Sequence, residues 1–283
     1  MNPRTAAVRA GLRRAWIELR QSLSSGQDIW SMTFFPVTAL IVMFMLRNNT
    51  VPGTNFSLSS QSIPGILGMT VVLNGMMGLA LSLAMDREDG TLLRAKATPN
   101  GVIGYLTGRV LGRAGTATAG MLIALVPAAL LFDGLELGSV SAWVTLAWVV
   151  ALGLMCLLPL GAMVGSLFNN AQGVGFVTLP MMMLMGVSGV FYPISSFPEW
   201  LQWIAQIFPL YWLALGLRSA MLPHSMVVAE VGGSWRHMET IGVLVVWTVA
   251  GCVLAPIVLR RMGRRESGSA VAVRRQRAMQ RTV

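Results

Sequence analysis

The sequence predicts an all-α integral membrane protein of six transmembrane helices. An amphipathic interfacial helix precedes them, a short charged helix interrupts them on the cytoplasmic side, and outer-leaflet re-entrant helices come before the last span. Three observations carry this reading. Apolar stretches close to the roughly 20 residues that a bilayer crossing requires recur along the chain. The composition is 54% hydrophobic and 11% charged, against about 25% charged in an ordinary soluble domain. Finally, 18 of the 21 basic residues fall in three blocks between or beyond the apolar stretches. These are Arg4, Arg9, Arg13, Arg14 and Arg20; then Arg87, Arg94, Lys96, Arg109 and Arg113; then Arg260, Arg261, Arg264, Arg265, Arg274, Arg275, Arg277 and Arg281. Short loops rich in Arg and Lys stay in the cytoplasm, which assigns all three blocks and both termini to that side of the cell (inner or plasma) membrane.

Residues 1–283 read as a single transmembrane domain. In the interfacial helix, residues 1–28, Val8, Leu12, Trp16, Leu19 and Leu23 recur at spacings of four, four, three and four. They share one helical face while Arg9, Arg13 and Arg20 point elsewhere, so the helix is expected to lie along the inner membrane surface. The first apolar run begins only at Ile29 and no small-residue cleavage site follows it, so no cleavable signal is expected.

The spans are placed at residues 29–46, 63–85, 114–132, 140–168, 171–192 and 240–259, none with a charge in its apolar core. Arg109 and Arg113, four apart, extend the third helix inward and can snorkel together to the interface. Residues 193–221 are too interrupted to be a seventh span: Pro198 and Pro209 cut them into pieces of about ten residues. A seventh crossing would also put the basic tail, residues 260–283, outside. Two short helices dipping into the outer leaflet and packing on neighbours are expected instead, with Pro193, Pro198, Trp200 and Pro209 shaping them. The outer loops agree, with Asp133 and Glu136 in one and only Arg47 in another.

Several function classes are disfavoured. The +10 net charge sits beside spans, suiting anionic lipid head groups, and shows no aromatic-interleaved face for nucleic acid. The only lysine, Lys96, follows Ala95, so the Gly-Lys of a Walker A loop is lacking. No ionisable residue lies in a span core, where an ion-driven carrier usually needs one. Asn74, the most polar mid-span residue, reads first as an interhelical hydrogen bond. Gly161 and Gly165 read as a helix-packing pair. Cys156 and Cys252 lie inside spans with no metal spacing, His224 and His237 have no paired ligand, and no nucleophile–base pair is legible. Neither a catalytic nor a metal site is expected in this chain.

The internal basic block reads Met85-Asp86-Arg87-Glu88-Asp89-Gly90-Thr91-Leu92-Leu93-Arg94-Ala95-Lys96-Ala97-Thr98-Pro99. It predicts a short cytoplasmic helix over 86–99, acids toward its start and bases toward its end as the helix dipole favours, with Pro99 ending it. Such a helix offers a grip to a soluble motor. The segment resembles the coupling-helix motif of type-2 ABC exporter permeases. Arg87, Glu88, Gly90, Thr91, Leu92, Thr98 and Pro99 match, Asp86 replaces a Glu, and Leu93, Ala95 and Lys96 depart. A second match is independent: Ser188-Gly189-Val190-Phe191-Tyr192-Pro193, then Phe197-Pro198-Glu199-Trp200-Leu201 and Pro209, is similar to the outer re-entrant segment of that family, especially its daunorubicin-resistance branch.

The resemblance implies a half-transporter without catalysis of its own. Two permease chains, identical or sister, would enclose a path, and two ABC ATPase subunits carrying ATP and Mg would bind beneath. Asp86, Arg87, Glu88, Gly90, Thr91, Arg94 and Pro99 would couple the chain to that motor. The second and fifth spans line the path in relatives, which points here to Met69, Asn74, Met77, Met181, Met182 and Met185, with Met76 and Met183 beside them. Flexible thioethers repack around varied apolar ligands. Export of lipophilic or amphipathic small molecules such as a drug or antibiotic is the first expectation. A lipid or lipid-linked glycan as cargo, and a non-transporting sensor or scaffold, are the alternatives.

Overall fold

The computed structural model describes residues 3–48, 57–98, 100–132, 134–168 and 170–265, and among these every regular element is helical. α1 (Pro3–Ser24) passes through Ser25 into α2 (Gly26–Met45), whose first turn is capped by Ser25 Oγ accepting from the Asp28 backbone N–H at 3.3 Å. α3 (Leu58–Val71), a π-helical turn (Val72–Met77) and α4 (Gly78–Glu88) run on as one continuous helix. α5 (Thr91–Lys96) is short and separate, and α6 (Gly101–Leu131) follows. α7 (Val140–Leu167) and α8 (Ala171–Val187) each start at a side-chain cap, Ser139 and Asn170. α9 (Glu199–Ile207) and α10 (Pro209–Met221) precede α11 (His237–Arg265).

Among the described residues, five helices are long and apolar enough to cross a bilayer: Gly26–Met45, Leu58–Glu88, Gly101–Leu131, Val140–Leu167 and His237–Leu259. The predicted span at 171–192 is shorter than expected. Its helix stops at Val187, where Ser188 turns back to bond the Leu184 carbonyl through both N–H and Oγ, and Gly189 takes φ +75°. The 17 residues of α8 reach only about 26 Å, less than the roughly 30 Å hydrocarbon core.

The spans alternate between two ends of a bundle. At the basic end, α4 hands over to α6 through α5, and α7 hands over to α8. At the far end, Ser59 Oγ donates to the Met43 carbonyl at 2.7 Å and the Glu136 N–H donates to the Met221 carbonyl at 2.8 Å. The helix through α3 and α4 is the most enclosed, packed by α2, α6, α7 and α10. Gly161 and Gly165 of α7 are packing residues, as the sequence suggests. A Cβ on Gly161 would strike the Met76 carbonyl, and one on Gly165 would come within 2.6 Å of the Ala80 carbonyl.

α1 is helical, and of its apolar stripe only Leu19 turns onto the protein, against Gly115 of α6. The adjoining face, Gly11, Ala15 and Glu18, runs parallel to α6 along Gly104, Gly108 and Gly112. A Cβ on Gly11 would stand 2.6 Å from the Gly104 carbonyl, so the two backbones touch. Val8, Leu12, Trp16 and Leu23 are left on the outside, Trp16 67% exposed.

Neither helix of 193–221 is long enough to cross. α9 has 9 residues and α10 has 13, about 14 and 20 Å. Pro198 is the N-cap of α9, and Pro209 stands at the first turn of α10, the helical position where a missing N–H costs least. The pair differ in setting. α9 turns Trp200 and Trp203 outward, whereas α10 is buried along almost its whole length, Tyr211 and Trp212 included, against α3, α7 and α11. Packing inside the protein gives α10 its burial.

Candidate functional site

The coupling segment is built differently from the single helix that its charge order suggests. Asp86, Arg87 and Glu88 belong to the last turn of α4, and the chain breaks at Gly90, whose φ of +73° is the left-handed conformation glycine adopts at least cost. Only Thr91–Lys96 forms the separate helix. Asp86 and Glu88 thus lie at a helix C-terminus, where the dipole disfavours them, and need other partners.

Asp86 finds them inside the protein. Its Oδ2 accepts from the Tyr105 hydroxyl at 2.6 Å and from Arg109 Nε at 2.7 Å, and its Oδ1 accepts from Arg109 Nη2 at 2.6 Å. Arg109 Nη1 donates to Glu18 Oε1 at 2.8 Å, which brings α1 into the same cluster. Two-pronged guanidinium–carboxylate pairing of this kind is directional and strong. Arg109 does not snorkel with Arg113 as its spacing suggests, because two carboxylates take up its nitrogens. Tyr105 and Glu18 carry no mark in the sequence: their partners lie 19 and 91 residues away.

Arg87 turns the other way. It is buried, and its Nη1 donates to the Ser166 carbonyl at 3.0 Å and the Phe168 carbonyl at 2.6 Å. These lie at the C-terminal end of α7, whose last carbonyls have no partner within their own helix. Adjacent residues of the motif therefore pin the end of α4 to α6 and α1 on one side and to α7 on the other.

What remains outward is the surface of α5 and its flanks. Leu92 is buried and plugs the short helix into the core; Glu88 and Thr91 are half-buried; Asp89, Arg94 and Lys96 are exposed. Arg94 Nη2 donates to Thr91 Oγ1 at 3.0 Å, and Thr98 Oγ1 donates to the Ala95 carbonyl at 3.0 Å, stiffening the turn. Pro99 lies outside the described residues.

The residues predicted to line a path fall in three places. Met69, Met182 and Met185 meet, with Phe35, Met43 and Phe191, around an apolar groove of about 310 Å³ between α2, α3 and α8. Met77 packs instead with Ala80, Ala84 and Val174, and Met181 lies against that cluster. Asn74 sits in the π-helical turn, where its Nδ2 donates to the Met32 carbonyl of α2 at 3.1 Å. It makes the interhelical bond expected of it and also lines a polar cavity of about 490 Å³ at the basic end, with Glu18, Asp28, Arg109, Arg113 and Thr116.

At the far end the turn after α8 rests on the start of α3. Ser62 Oγ donates to the Phe191 carbonyl at 2.8 Å, and Gly65 lies so close that a Cβ would overlap the Val190 carbonyl. Pro193 and Ile194 are buried beneath this turn. Behind it lies an ion pair that the sequence does not announce. Arg218 of α10 and Glu230 are each 1% exposed and meet at 2.6 Å, while Arg218 Nη1 donates to the Gly189 carbonyl at 2.8 Å. His224 and His237 are not brought together with other ligands, and no group of metal-binding side chains occurs among the described residues.

A family model described as "ABC-2 family transporter protein" matches residues 39–255, which contain the coupling segment and the 193–221 helices. No curated protein is similar enough to match the chain. Membership carries the coarse features of the family: a multi-pass permease component of an ABC transporter, generally not itself catalytic, that associates with an ABC ATPase subunit. With its apolar helices and its match over most of its length, the chain belongs to the ABC-2 family of transporter proteins.

Proposed function

We propose that this chain is the membrane subunit of an ATP-driven exporter that moves lipophilic or amphipathic small molecules, such as a drug or antibiotic, outward. Two copies of a separate ATPase, holding ATP and Mg, act on two permease chains, identical or sister. Within its family the chain reads as a member of the daunorubicin-resistance branch. The basic end, with both termini, faces the cytoplasm, and α8 completes six spans.

The observation that carries this reading is the build of α5. A surface for a soluble partner needs exposed, fixed charges on a support that does not yield. Asp89, Arg94 and Lys96 are exposed, Leu92 anchors the helix, and Asp86 and Arg87 hold the preceding turn from two sides. The methionine groove suits an apolar cargo of variable shape, since thioether chains adapt at little cost.

The decisive experiment is gentle-detergent capture of the chain from its native membrane, followed by reconstitution with whatever ATPase is retained. An ABC ATPase in equal ratio is expected. The Arg94→Glu/Lys96→Glu double variant is expected to abolish ATP-driven efflux while leaving the apparent Tm of the permease unchanged. Absence of any ATPase with non-hydrolysable nucleotide present, or unaltered efflux by the double variant, overturns the reading.

A further inference from the structure

The polar cavity at the basic end belongs neither to the exposed face of α5 nor to the methionine groove. It lies where the end of α1, the start of α2, the middle of α6 and the π-helical turn come together. Its charges can be taken one by one. Arg109 is committed: Asp86 occupies its Nε and Nη2, and Glu18 its Nη1. Arg14 stands at the mouth with its guanidinium 5.6 Å from the Tyr105 ring centre.

Two charged groups lining the cavity, Arg113 and Asp28, act on each other electrostatically, with Glu18 also acting on Arg113, but they make no direct ion pair. Arg113 has a buried Nε without a hydrogen-bond partner, and its guanidinium forms no ion pair among the described residues. The Asp28 backbone N–H is capped by Ser25, but its carboxylate makes no hydrogen bond or ion pair among the described residues. Guanidiniums of Arg14, Arg109 and Arg113 face carboxylates of Glu18, Asp28 and, just behind, Asp86, so the formal charges balance. The buried Arg113 Nε without a partner is costly, whereas Asp28 is half-buried and open to the cavity. A balanced cavity in which Arg113 and Asp28 attract each other across a gap without meeting is therefore complementary to a zwitterion that bridges them. A simple anion would answer only one of them.

The surroundings suit an amphiphile. Ile17 and Met32 line the same cavity, and the exposed Arg14, Ile17 and Gln21 mark its opening. Asn74, Ser31 and Thr116 add neutral hydrogen-bonding groups. With the basic end on the cytoplasmic side, this opening stands at the head-group level of the inner leaflet, beside the outward apolar stripe of α1.

We propose that this cavity binds a phosphoethanolamine head group, with the phosphate on Arg113 and Arg14 and the ammonium on Asp28. The same chemistry is presented by a resident membrane lipid and by a transported one. The proposal rests on the membrane orientation given above and is independent of the ATPase and of the cargo.

The test is native mass spectrometry of the full chain released from nanodiscs holding equal phosphatidylethanolamine and phosphatidylglycerol with matched acyl chains. Loss of a charge-assisted contact predicts that phosphatidylethanolamine is retained about tenfold better than phosphatidylglycerol, which lacks the ammonium. Asp28→Asn, a near-isosteric change on a half-buried residue, is expected to bring the two lipids to parity while both still bind. Arg113→Gln is expected to weaken both. Release of the bound lipid only during ATP turnover with the partner ATPase marks it as cargo, and retention through turnover marks a resident lipid; either supports the site. Equal retention of the two lipids by the unaltered chain overturns the proposal, as does a preference that survives Asp28→Asn or undiminished binding of both lipids by Arg113→Gln.

Discussion

The Asp86 carboxylate grips the Arg109 guanidinium with both oxygens, at 2.7 Å to Nε and 2.6 Å to Nη2, across the junction of α4 and α6. Glu18 takes the third nitrogen from α1. Three helices thus meet one turn before the chain breaks at Gly90 into the exposed α5. Asp86 acts here as the fixed base from which the outward residues of α5 project.

Asp86→Asn should therefore behave as a stability variant. It keeps the shape and loses the charge, leaving Glu18 as the only carboxylate on Arg109. A hydrogen bond to a charged group contributes about 1.5–3 kcal/mol, and a loss of that order should appear as a lower apparent Tm in detergent. Asp89→Asn, at an exposed position, should leave Tm unchanged.

Arg87 caps the end of α7 through the Ser166 and Phe168 carbonyls. Arg87→Ala leaves both without this donor, at about 1–3 kcal/mol each. Arg87→Lys supplies one compact ammonium for two carbonyls and should recover part of that loss. Thermal unfolding in detergent should rank the unaltered chain above Arg87→Lys and Arg87→Ala lowest, with transport falling in the same order.

The Arg218–Glu230 pair makes a sharper test of buried charge. Glu230→Gln strands a guanidinium that is 1% exposed, a change expected to cost about 3–5 kcal/mol. Replacing both members, Arg218→Met with Glu230→Leu, removes the stranded charge and should be less damaging than Glu230→Gln alone. The Gly189 carbonyl loses its donor in the double variant, so recovery should be incomplete. Apparent Tm values of the three proteins decide it.

Met182 is 38% exposed on the wall of the apolar groove. Met182→Trp should fill part of that space with a rigid ring. If the groove holds cargo, the concentration of a lipophilic compound needed to stimulate ATP hydrolysis should rise about tenfold, equivalent to about 1.4 kcal/mol. Basal hydrolysis and ATPase capture should not change.

The class of the protein, most of its span positions and the asymmetry of its ends were legible in the sequence. Long apolar runs and clustered arginines report directly on a solvent that cannot satisfy an open backbone or a bare charge. Pro198 and Pro209 likewise mark the starts of α9 and α10, because their backbone effect is local. The charged segment 85–99 stood out as well, as an interruption between two spans.

The tertiary structure alone decided which motif residues are support and which are surface. Asp86, Arg87 and Asp89 are all charged and nearly adjacent. The first faces Arg109, the second faces the end of α7 and the third faces outward, because a helix turns by about 100° per residue against different neighbours. It also decided that Met69, Met182 and Met185 converge while Met77 and Met181 do not, and that α10 is buried although it is as aromatic as the exposed α9. Arg218 and Glu230, and Glu18 and Arg109, give no local sign of their pairing. A residue's periodicity and polarity are properties of its own segment, whereas a partner 12 or 91 residues away is chosen only when the helices pack.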